Sequence, residues 1–316
     1  MADCTHDPPM GNSTGPIETF LSLYDTPTRK IYERILREWC EFLFQVDIAL
    51  IDATPFVGLR FCAIYRQKPG HRSNTRSEKT VRKAMVTLRH FYNFLQDGDR
   101  DAVNPFQKVV KGLPRGTEPC RRENPAIPFD KIRRLIEFPS MDDLTNRGAR
   151  NTAILAALYG GGLRIREALA LRLSDLRESA EGTFFVHLEK TKAGIAANQV
   201  IAPDCVGYIQ SYLAIRITEG AEPHAILFTG YDDAIPNGKV IDARAFLRRF
   251  KRWCRECKIK ATLHSMRSSA ITKLLSDGLT YREVQEFSRH ASIQMVEVYD
   301  KRVFEIDNAT AKKLKL

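Results

Sequence analysis

The 316-residue sequence lacks the features of membrane and exported proteins. No apolar run approaches the ~20 residues that a helix needs to cross a bilayer. The first residues have neither the basic start nor the apolar segment of a signal peptide. The seven cysteines are scattered and odd in number, which argues against a disulfide framework and favours reduced thiols. We therefore expect a cytoplasmic protein that makes no contact with a membrane.

Signatures of nucleotide and metal sites are also absent. The glycines at 160–162 are not part of a G-x-x-x-x-G-K-[ST] phosphate loop. Cys254 and Cys257 form a C-x-x-C pair ahead of His264, but no fourth zinc ligand follows at a suitable spacing. Because the pair lies in a helical pattern, structural thiols are favoured over a metal site. We expect neither a cofactor nor a metal.

What the sequence has in excess is positive charge. Lysines and arginines number 49 against 38 acidic residues, for a formal net charge of +11. A surplus of this size favours a polyanionic partner, and nucleic acid is the first candidate. Solubility is the alternative explanation of the charge.

Composition divides the chain into two candidate domains. Residues 1–16 are rich in proline, glycine, serine and threonine, which predicts a disordered tail. Residues 17–112 carry apolar residues at helical spacing and predict a small all-helical domain. Residues 113–127 contain three prolines and three arginines and predict an extended basic linker. A second domain is expected over residues 128–302, followed by a separate C-terminal segment, 303–316.

The second domain combines helices with a short hairpin. Strand-like runs at Thr183–Glu189 and Gln199–Ala202 flank a polar turn, and the pattern from about Pro203 onward is helical. The predicted fold class is mainly α, with an N-terminal helical bundle and a C-terminal α-rich domain that carries a small antiparallel β-sheet.

Two basic clusters are candidates for DNA contact. Clustered cations suit a surface that follows phosphates, whereas a solvated helix face is the alternative for each cluster. The first surrounds a predicted loop-to-helix junction, and the second lies on a helix predicted over Ala245–Lys258. Their members are Arg72, Arg76, Lys79 and Arg82 in the first, and Arg248, Arg249 and Arg252 in the second.

The string GGGLRIREALAL places Arg164 after three glycines at the start of a helix. Glycine lets the backbone turn tightly and approach a ligand, and the helix N-terminus adds partial positive charge. An arginine at that point suits two phosphate oxygens at once. Glu167 lies one turn later and is either a partner that holds a cation in place or a surface glutamate.

A lysine and an H-x-x-R pair follow along the chain. Lys192 lies at the turn of the predicted hairpin, where a mobile ammonium can reach an oxygen in a groove. Lys190, two residues earlier, is the competing candidate. His264 and Arg267 lie on a predicted helix, where positions i and i+3 face the same way. Their spacing delivers an imidazole and a guanidinium to one phosphate.

The last two candidates lie near the C-terminus. Tyr299 follows His290 by nine residues and precedes two basic residues. Neighbouring cations favour a phenolate, and a phenol with a pKa of about 10 needs such help to act as a nucleophile. Fixed cations also suit a phosphodiester, whose transition state gains negative charge. Six residues therefore form a predicted metal-free site for DNA cleavage: Arg164, Lys192, His264, Arg267, His290 and Tyr299.

The order of these residues resembles the tyrosine recombinase family, also called the phage integrase family. GLRIREAL is similar to the family's first arginine motif, TLHSMRSSAITKLL to its second, and RHASIQMVEVY to its nucleophile motif. Residues 17–111 resemble the family's core-binding domain, a helical SAM-like bundle that an NPF sequence often closes. Two features depart from the pattern. Arg289 stands where the family commonly has glycine, and the hairpin after Lys192 is longer and less charged than in many members.

The resemblance implies a site-specific recombinase of the two-domain type. Tyr299 would form a 3′-phosphotyrosyl bond, Arg164 and Arg267 would clamp the non-bridging oxygens, and Lys192 would protonate the departing oxygen. The two histidines would position the phosphate and manage the proton of the phenol. No cofactor or metal is implied.

The implied partners are double-stranded DNA with inverted half-sites and further copies of the chain in a homotetramer, with an accessory protein left open. Strands would exchange through a Holliday junction, and residues 303–316 would dock on a neighbour through Leu314 and Leu316. We expect no arm-binding domain ahead of Ile17, which favours a simple recombinase or resolvase. Integration, excision and cointegrate resolution of a mobile element all fit. The alternatives are a DNA-binding protein that does not recombine and a topoisomerase that nicks and reseals.

Overall fold

Helices dominate a chain that divides into two compact units, Met1–Pro119 and Cys120–Leu316. Each unit has its own apolar core. In the described part of the chain, strands occur in the second unit alone and form small antiparallel sheets. The predicted fold class is therefore confirmed. The structure is a computed structural model that describes residues 14–70, 73–98, 103–114, 126–189 and 195–300.

The first unit is built around an aromatic core. Trp39 contacts the rings of Phe61 and Phe106 at centroid distances of 5.0 and 4.9 Å. Its indole N–H donates to Tyr92 Oη at 3.1 Å, and that hydroxyl donates to the Leu50 carbonyl at 2.7 Å. The rings supply apolar burial, and the two hydrogen bonds satisfy the polar atoms that come with them. The helices described in this unit are α1 (Thr14–Ser22), α2 (Thr26–Gln45), α3 (Pro55–Gln67), α4 (Glu78–Gly98) and α5 (Gln107–Gly112).

The ends of the first unit differ from the sequence prediction. Helix α1 begins at Thr14, inside the predicted tail of residues 1–16. Pro16 is compatible with this start because the N–H groups of a first helical turn have no helical partner. Leu113 and Ile127, which the sequence assigned to the linker, are buried in the cores of the first and second unit. The rest of the predicted linker, 115–125, lies outside the described residues.

A buried helix organises the second unit. Helix α7 (Asn146–Gly160) packs against α6 (Phe129–Asp142), α9 (Pro203–Thr218) and α11 (Leu263–Ser276). Its residues 153–158 are at most 1% exposed, and a helix that is apolar on every side is expected to lie inside a domain. The remaining described helices are α8 (Ile165–Ala170), α10 (Ala243–Glu256), α12 (Tyr281–Ser288) and α13 (Gln294–Glu297). None of the described helices is long and apolar enough to span a membrane.

The described residues of the second unit also form two small antiparallel sheets. The first has the order β1-β2-β3, with Val186 opposite Leu176 and Gln199. Its second and third strands are the predicted hairpin. The other sheet lies in a stretch that the sequence predicted as helical, and that prediction was wrong. Its turn contains Asp233 at φ 55° rather than an Asn-Gly signal, and its second strand is largely exposed. The strands are β1 (Leu176–Glu178), β2 (Phe184–Leu188), β3 (Ala197–Val200), β4 (Thr229–Asp232) and β5 (Ile235–Val240).

Gly148, in the first turn of α7, has no room for a side chain. An added Cβ would lie 1.8 Å from the Asp143 carbonyl oxygen and 2.8 Å from the Pro139 carbonyl oxygen. We predict that Gly148→Ala lowers the free energy of unfolding of the second unit by about 1–3 kcal/mol, because overpacking forces the backbone to shift. Urea unfolding measures this through the fluorescence of Trp253 in a Trp39→Phe background, since the chain has two tryptophans.

Gly207 in α9 is the matched control. It is an exposed helical glycine, and no heavy atom of the described residues lies within 4 Å of an added Cβ. Alanine at that position should raise the free energy of unfolding by about 0.5–1 kcal/mol, because alanine favours the helix. Equal effects of the two substitutions would contradict the crowding at Gly148.

Candidate active site

The glycine turn before α8 sets the position of Arg164. Gly162 has φ +54°, a left-handed conformation, and an added Cβ would lie 2.8 Å from the Phe287 ring. Arg164 is then the N-cap residue of α8, at the helix start that the sequence predicts. Its side chain is 29% exposed, so the guanidinium is held in place but still reaches solvent.

Glu167 holds Arg164 and is not a surface glutamate. One carboxylate oxygen accepts from Arg164 Nη1 at 2.7 Å, and the other accepts from the Arg164 backbone N–H at 2.9 Å. The second oxygen also accepts from Arg289 Nη2 at 2.8 Å. Burial acts to raise the pKa of Glu167, but the hydrogen bonds from Arg164 and the charges of both arginines lower this pKa below its ordinary value. The carboxylate therefore stays ionised and is shared by two guanidiniums.

Arg267 on α11 is a buried cation, 1% exposed. Its Nη1 donates to the Gly162 carbonyl and its Nη2 donates to the Ser288 carbonyl, while Nε has no hydrogen-bond partner among the described residues. Burial, followed by the charges of Arg164 and Arg289, lowers the pKa of Arg267 to about 10. The group therefore stays charged at neutral pH, and its two acceptors are neutral carbonyls.

Tyr299 lies between two imidazoles. His264 Nε2 is 3.3 Å from the Tyr299 hydroxyl. The His290 ring stacks on the Tyr299 ring, with centroids 5.7 Å apart and 15° between the planes. Tyr299 is also among the groups that influence the pKa of Arg267, so the phenol lies near the buried guanidinium. The phenol ring is buried in a small apolar cluster with Ile271, Leu275, Val284 and Val296.

Two polar neighbours of His290 were missed by the sequence reading. Ser288 Oγ is 2.8 Å from His290 Nδ1, and Gln285 Nε2 donates to the His290 carbonyl at 3.0 Å. Hydrogen bonding at one ring nitrogen fixes the orientation of an imidazole. No motif marks these residues. Their sole signal is a place in the last turn of a helix that ends just before the histidine.

Arg289 ends α12 in a left-handed conformation, with φ 52° and ψ 41°. This conformation costs a residue other than glycine roughly 1–2 kcal/mol, which accounts for the glycine that is common here in the resembling family. The arginine side chain reaches Glu167 and is 12% exposed. Burial lowers the pKa of Arg289, while the charge of Glu167 opposes that change. The departure from the family pattern therefore adds a third guanidinium to the site.

The structure brings together five of the six predicted catalytic residues. Lys192 and its competitor Lys190 lie outside the described residues, as does residue Arg72 of the first basic cluster. The segment 301–316, with its basic residues and proposed docking leucines, is outside them too. The predicted residues that meet in one place are Arg164, His264, Arg267, His290 and Tyr299.

Two members of the first basic cluster are engaged inside their own unit. Arg76 forms a two-pronged ion pair with Glu38, at 2.9 and 3.1 Å. Arg82 Nη1 donates to the Leu113 carbonyl at 2.9 Å, just after the end of α5. Lys79 is exposed. Arg76 and Arg82 thus stabilise the bundle, and Lys79 is the exposed one of the three described members.

The second basic cluster lies on α10, whose opposite face is buried. Arg248 and Arg249 are exposed. Arg252 is bound to Asp142 at the end of α6, so part of its charge is already compensated. Arg248 and Arg249 are therefore the better candidates of the three for a phosphate contact.

The described residues include no group of three or more histidine, cysteine, aspartate or glutamate side chains placed to hold a metal ion. Cys254 and Cys257 are both buried. Burial raises the pKa of both thiols, and that of Cys254 reaches about 12. Because metals bind the thiolate form, this environment disfavours a zinc site at the C-x-x-C pair.

A profile of the phage integrase family matches residues 126–305, more than half of the sequence. The chain belongs to the phage integrase family. Its relatives include proteins named tyrosine recombinase XerD. The one from Listeria monocytogenes is 25% identical over 290 residues, which cover 86% of each protein. The one from Halalkalibacterium halodurans is 25% identical over 235 residues, which cover 72% of each. The protein is thus a tyrosine recombinase, an enzyme that cleaves and rejoins DNA in site-specific recombination.

Solved structures of other proteins share the fold of this chain. XerH site-specific recombinase bound to its palindromic difH substrate has a TM-score of 0.71, with 15% identity, over 94% of this chain and 82% of that one. The Tn1549 transposon integrase in complex with circular intermediate DNA has a TM-score of 0.66, with 18% identity, over 95% and 98%. At such identities the likeness establishes the fold, and the roles of individual residues must come from the site itself.

The charge of Glu167 should make the stability of the second unit depend on pH. Its pKa in the folded protein is lower than the value of about 4.3 in an unfolded chain. The stabilisation is therefore present above about pH 4.3 and is lost as the pH falls through the folded pKa. We predict that Glu167→Gln lowers the free energy of unfolding by about 2 kcal/mol at pH 7, and that this difference shrinks below about pH 4. Urea unfolding at a series of pH values measures both.

Glu222→Gln is the control for this series, because Glu222 is exposed. Its substitution should leave the free energy of unfolding within about 0.5 kcal/mol at every pH. A difference between wild type and Glu167→Gln that is the same at pH 3 and pH 7 would show that the ionised carboxylate is not the stabilising group.

Proposed function

We propose that Tyr299 is the nucleophile, and that its oxygen attacks the scissile phosphorus to form a 3′-phosphotyrosyl bond while the 5′ oxygen departs. The observation that carries this assignment is the 3.3 Å approach of His264 Nε2 to the Tyr299 hydroxyl. With its proton on Nδ1, the imidazole accepts the phenol proton during the attack. Catalytic hydrogen bonds of this length often shorten when the substrate binds.

In this proposal, Arg164 and Arg267 hold the non-bridging oxygens of the phosphate. The transition state carries more negative charge than the substrate, so cations that are fixed before the reaction stabilise it selectively. The burial of Arg267 supports this role, because a charge acts more strongly in a site from which water is excluded. His290, stacked on Tyr299, orients the phenol.

The bond to the tyrosine conserves the energy of the broken phosphodiester, so rejoining requires neither ATP nor a metal. The free 5′ hydroxyl of a second strand attacks the phosphotyrosyl bond and releases the phenol. We place this exchange in a homotetramer on inverted half-sites, through a Holliday junction. Residues 303–316 are the proposed segment that docks on a neighbouring copy, through Leu314 and Leu316.

DNA contacts outside the active site are assigned to both units. Residues 17–112 are the proposed core-binding domain, and 113–127 the linker to the catalytic domain at 128–302. Lys79, Arg248 and Arg249 are exposed cations that suit the phosphate backbone. The setting we propose is integration, excision or cointegrate resolution of a mobile element in the cytoplasm, with an accessory protein as a further partner where synapsis requires one.

Substitution of the nucleophile separates binding from cleavage. We predict that Tyr299→Phe binds its DNA site as tightly as wild type but forms no covalent adduct with a nicked suicide substrate, because the attacking oxygen is gone. Wild type should form the adduct in EDTA. Denaturing gels measure the adduct, and gel shifts measure binding.

Tyr208→Phe is the matched control. Its hydroxyl donates to Glu137 at 2.5 Å, so this tyrosine also loses a hydrogen bond when its oxygen is removed. It should keep adduct formation. An adduct made by Tyr299→Phe would refute the nucleophile. Binding without any adduct in wild type would favour a DNA-binding protein that does not recombine.

The proton for the departing 5′ oxygen is assigned to Lys192. We predict that Lys192→Ala slows cleavage by about 10²–10⁴-fold, the usual contribution of a general acid. A substrate with sulfur at the 5′ bridging position should restore the rate, because a thiolate, with a conjugate-acid pKa of about 8.5, leaves without a proton. Single-turnover cleavage of both substrates measures this.

Lys190→Ala is the comparison that decides between the two lysines. It should cleave both substrates at the wild-type rate. If the sulfur substrate restored the cleavage rate of Lys190→Ala but not that of Lys192→Ala, Lys190 would be the general acid.

A further inference from the structure

Arg289 is a third guanidinium beside the two arginines assigned to the phosphate. We infer that it is a positioning residue for DNA cleavage: by binding Glu167, it keeps Arg164 electropositive and fixed for the scissile phosphate. This inference rests on the proposed function, in which Arg164 contacts that phosphate. It concerns the position at which the chain departs from the family's common glycine.

The hydrogen bonds around Glu167 carry the argument. One carboxylate oxygen binds Arg164 Nη1, and the other binds both the Arg164 backbone N–H and Arg289 Nη2. A pair of Arg164 and Glu167 alone would be neutral and would attract a phosphate weakly. The second guanidinium offsets the carboxylate, so the trio keeps one net positive charge. Because the carboxylate is only 7% exposed, this compensation occurs where water screens it little.

The backbone at Arg289 gives independent support. Its left-handed conformation favours glycine, asparagine or aspartate. The backbone conformation therefore does not explain why an arginine stands at this position. Its Nε and Nη1 atoms are buried and have no hydrogen-bond partner within the described part of the chain. Its Nη2 atom donates to Glu167. Backbone strain of this kind persists where the surrounding structure holds it in place, and it is often found at functional sites.

Arg289→Gly removes the side chain and leaves a backbone that glycine adopts readily. We expect an unchanged or higher melting temperature and an unchanged DNA affinity. The single-turnover rate of adduct formation should fall about 10–100-fold, less than the ~10²–10³-fold loss typical of a group that touches the transition state. Arg289→Lys should recover part of the rate, because it restores a positive charge without the fork geometry.

A double substitution tests the route through Glu167. In a Glu167→Gln background no carboxylate neutralises Arg164, so the further change Arg289→Gly should slow the adduct much less than it does in wild type. Such non-additivity is expected when two residues act through one network. Arg289→Asn is a second variant that tolerates the left-handed backbone without supplying a charge, and it should match Arg289→Gly.

The outcomes distinguish this inference from the proposed function. Absence of an adduct with wild type overturns the proposed function and the inference with it. A wild-type adduct together with a wild-type rate for Arg289→Gly overturns the inference alone. Additive losses of adduct rate in the double variant also overturn it. A lower melting temperature in both the glycine and asparagine variants overturns it too, because a structural role would then explain the lower rate.

Discussion

The site depends on the burial of one cation, the Arg267 guanidinium. It donates to the carbonyls of Gly162 and Ser288, which belong to the glycine turn before α8 and to the end of α12. A charge removed from water must find hydrogen bonds in the protein, so burial of Arg267 on α11 fixes these two segments against that helix. Because the acceptors are neutral, the charge is stabilised and not cancelled.

The other charged groups are arranged around that cation. Burial lowers the pKa of Arg267, Arg164 and Arg289 lower this pKa further by repulsion, and Glu167 opposes them. Among the described residues, three guanidiniums surround the Glu167 carboxylate and leave this group of side chains positive, and two of the three bind the carboxylate. Such an arrangement costs stability in the absence of an anion and favours the binding of a phosphate. The left-handed backbone of Arg289 also costs stability at a position whose side chain we assign to function.

The parts of the site that are close in sequence are predictable from the sequence, and the parts that are distant in sequence are not. The glycine run with Arg164, and the H-x-x-R of α11, each lie within about one turn of helix, so spacing alone predicts their faces. The role of Glu167 stayed open because an i+3 spacing does not report burial. Its contact with Arg289 joins residues 122 positions apart, which no local pattern encodes. The β4–β5 hairpin was missed for a related reason, since its exposed strand has little apolar alternation.

The nine-residue spacing of His290 and Tyr299 cannot by itself bring their rings together. On one straight helix, nine residues turn through about 900°, which places the two side chains on opposite faces and about 13.5 Å apart along the axis. Their rings are stacked at 5.7 Å, so the chain must break between them. Residues 290–293 are not helical and make this break, α13 begins at Gln294, and Tyr299 follows it with its N–H bound to the Val296 carbonyl at 2.9 Å. Arg289 ends α12 just before His290 in a left-handed conformation that glycine would also adopt. The backbone at this position therefore sets where the His290 segment begins, and the side chain binds Glu167 beside Arg164.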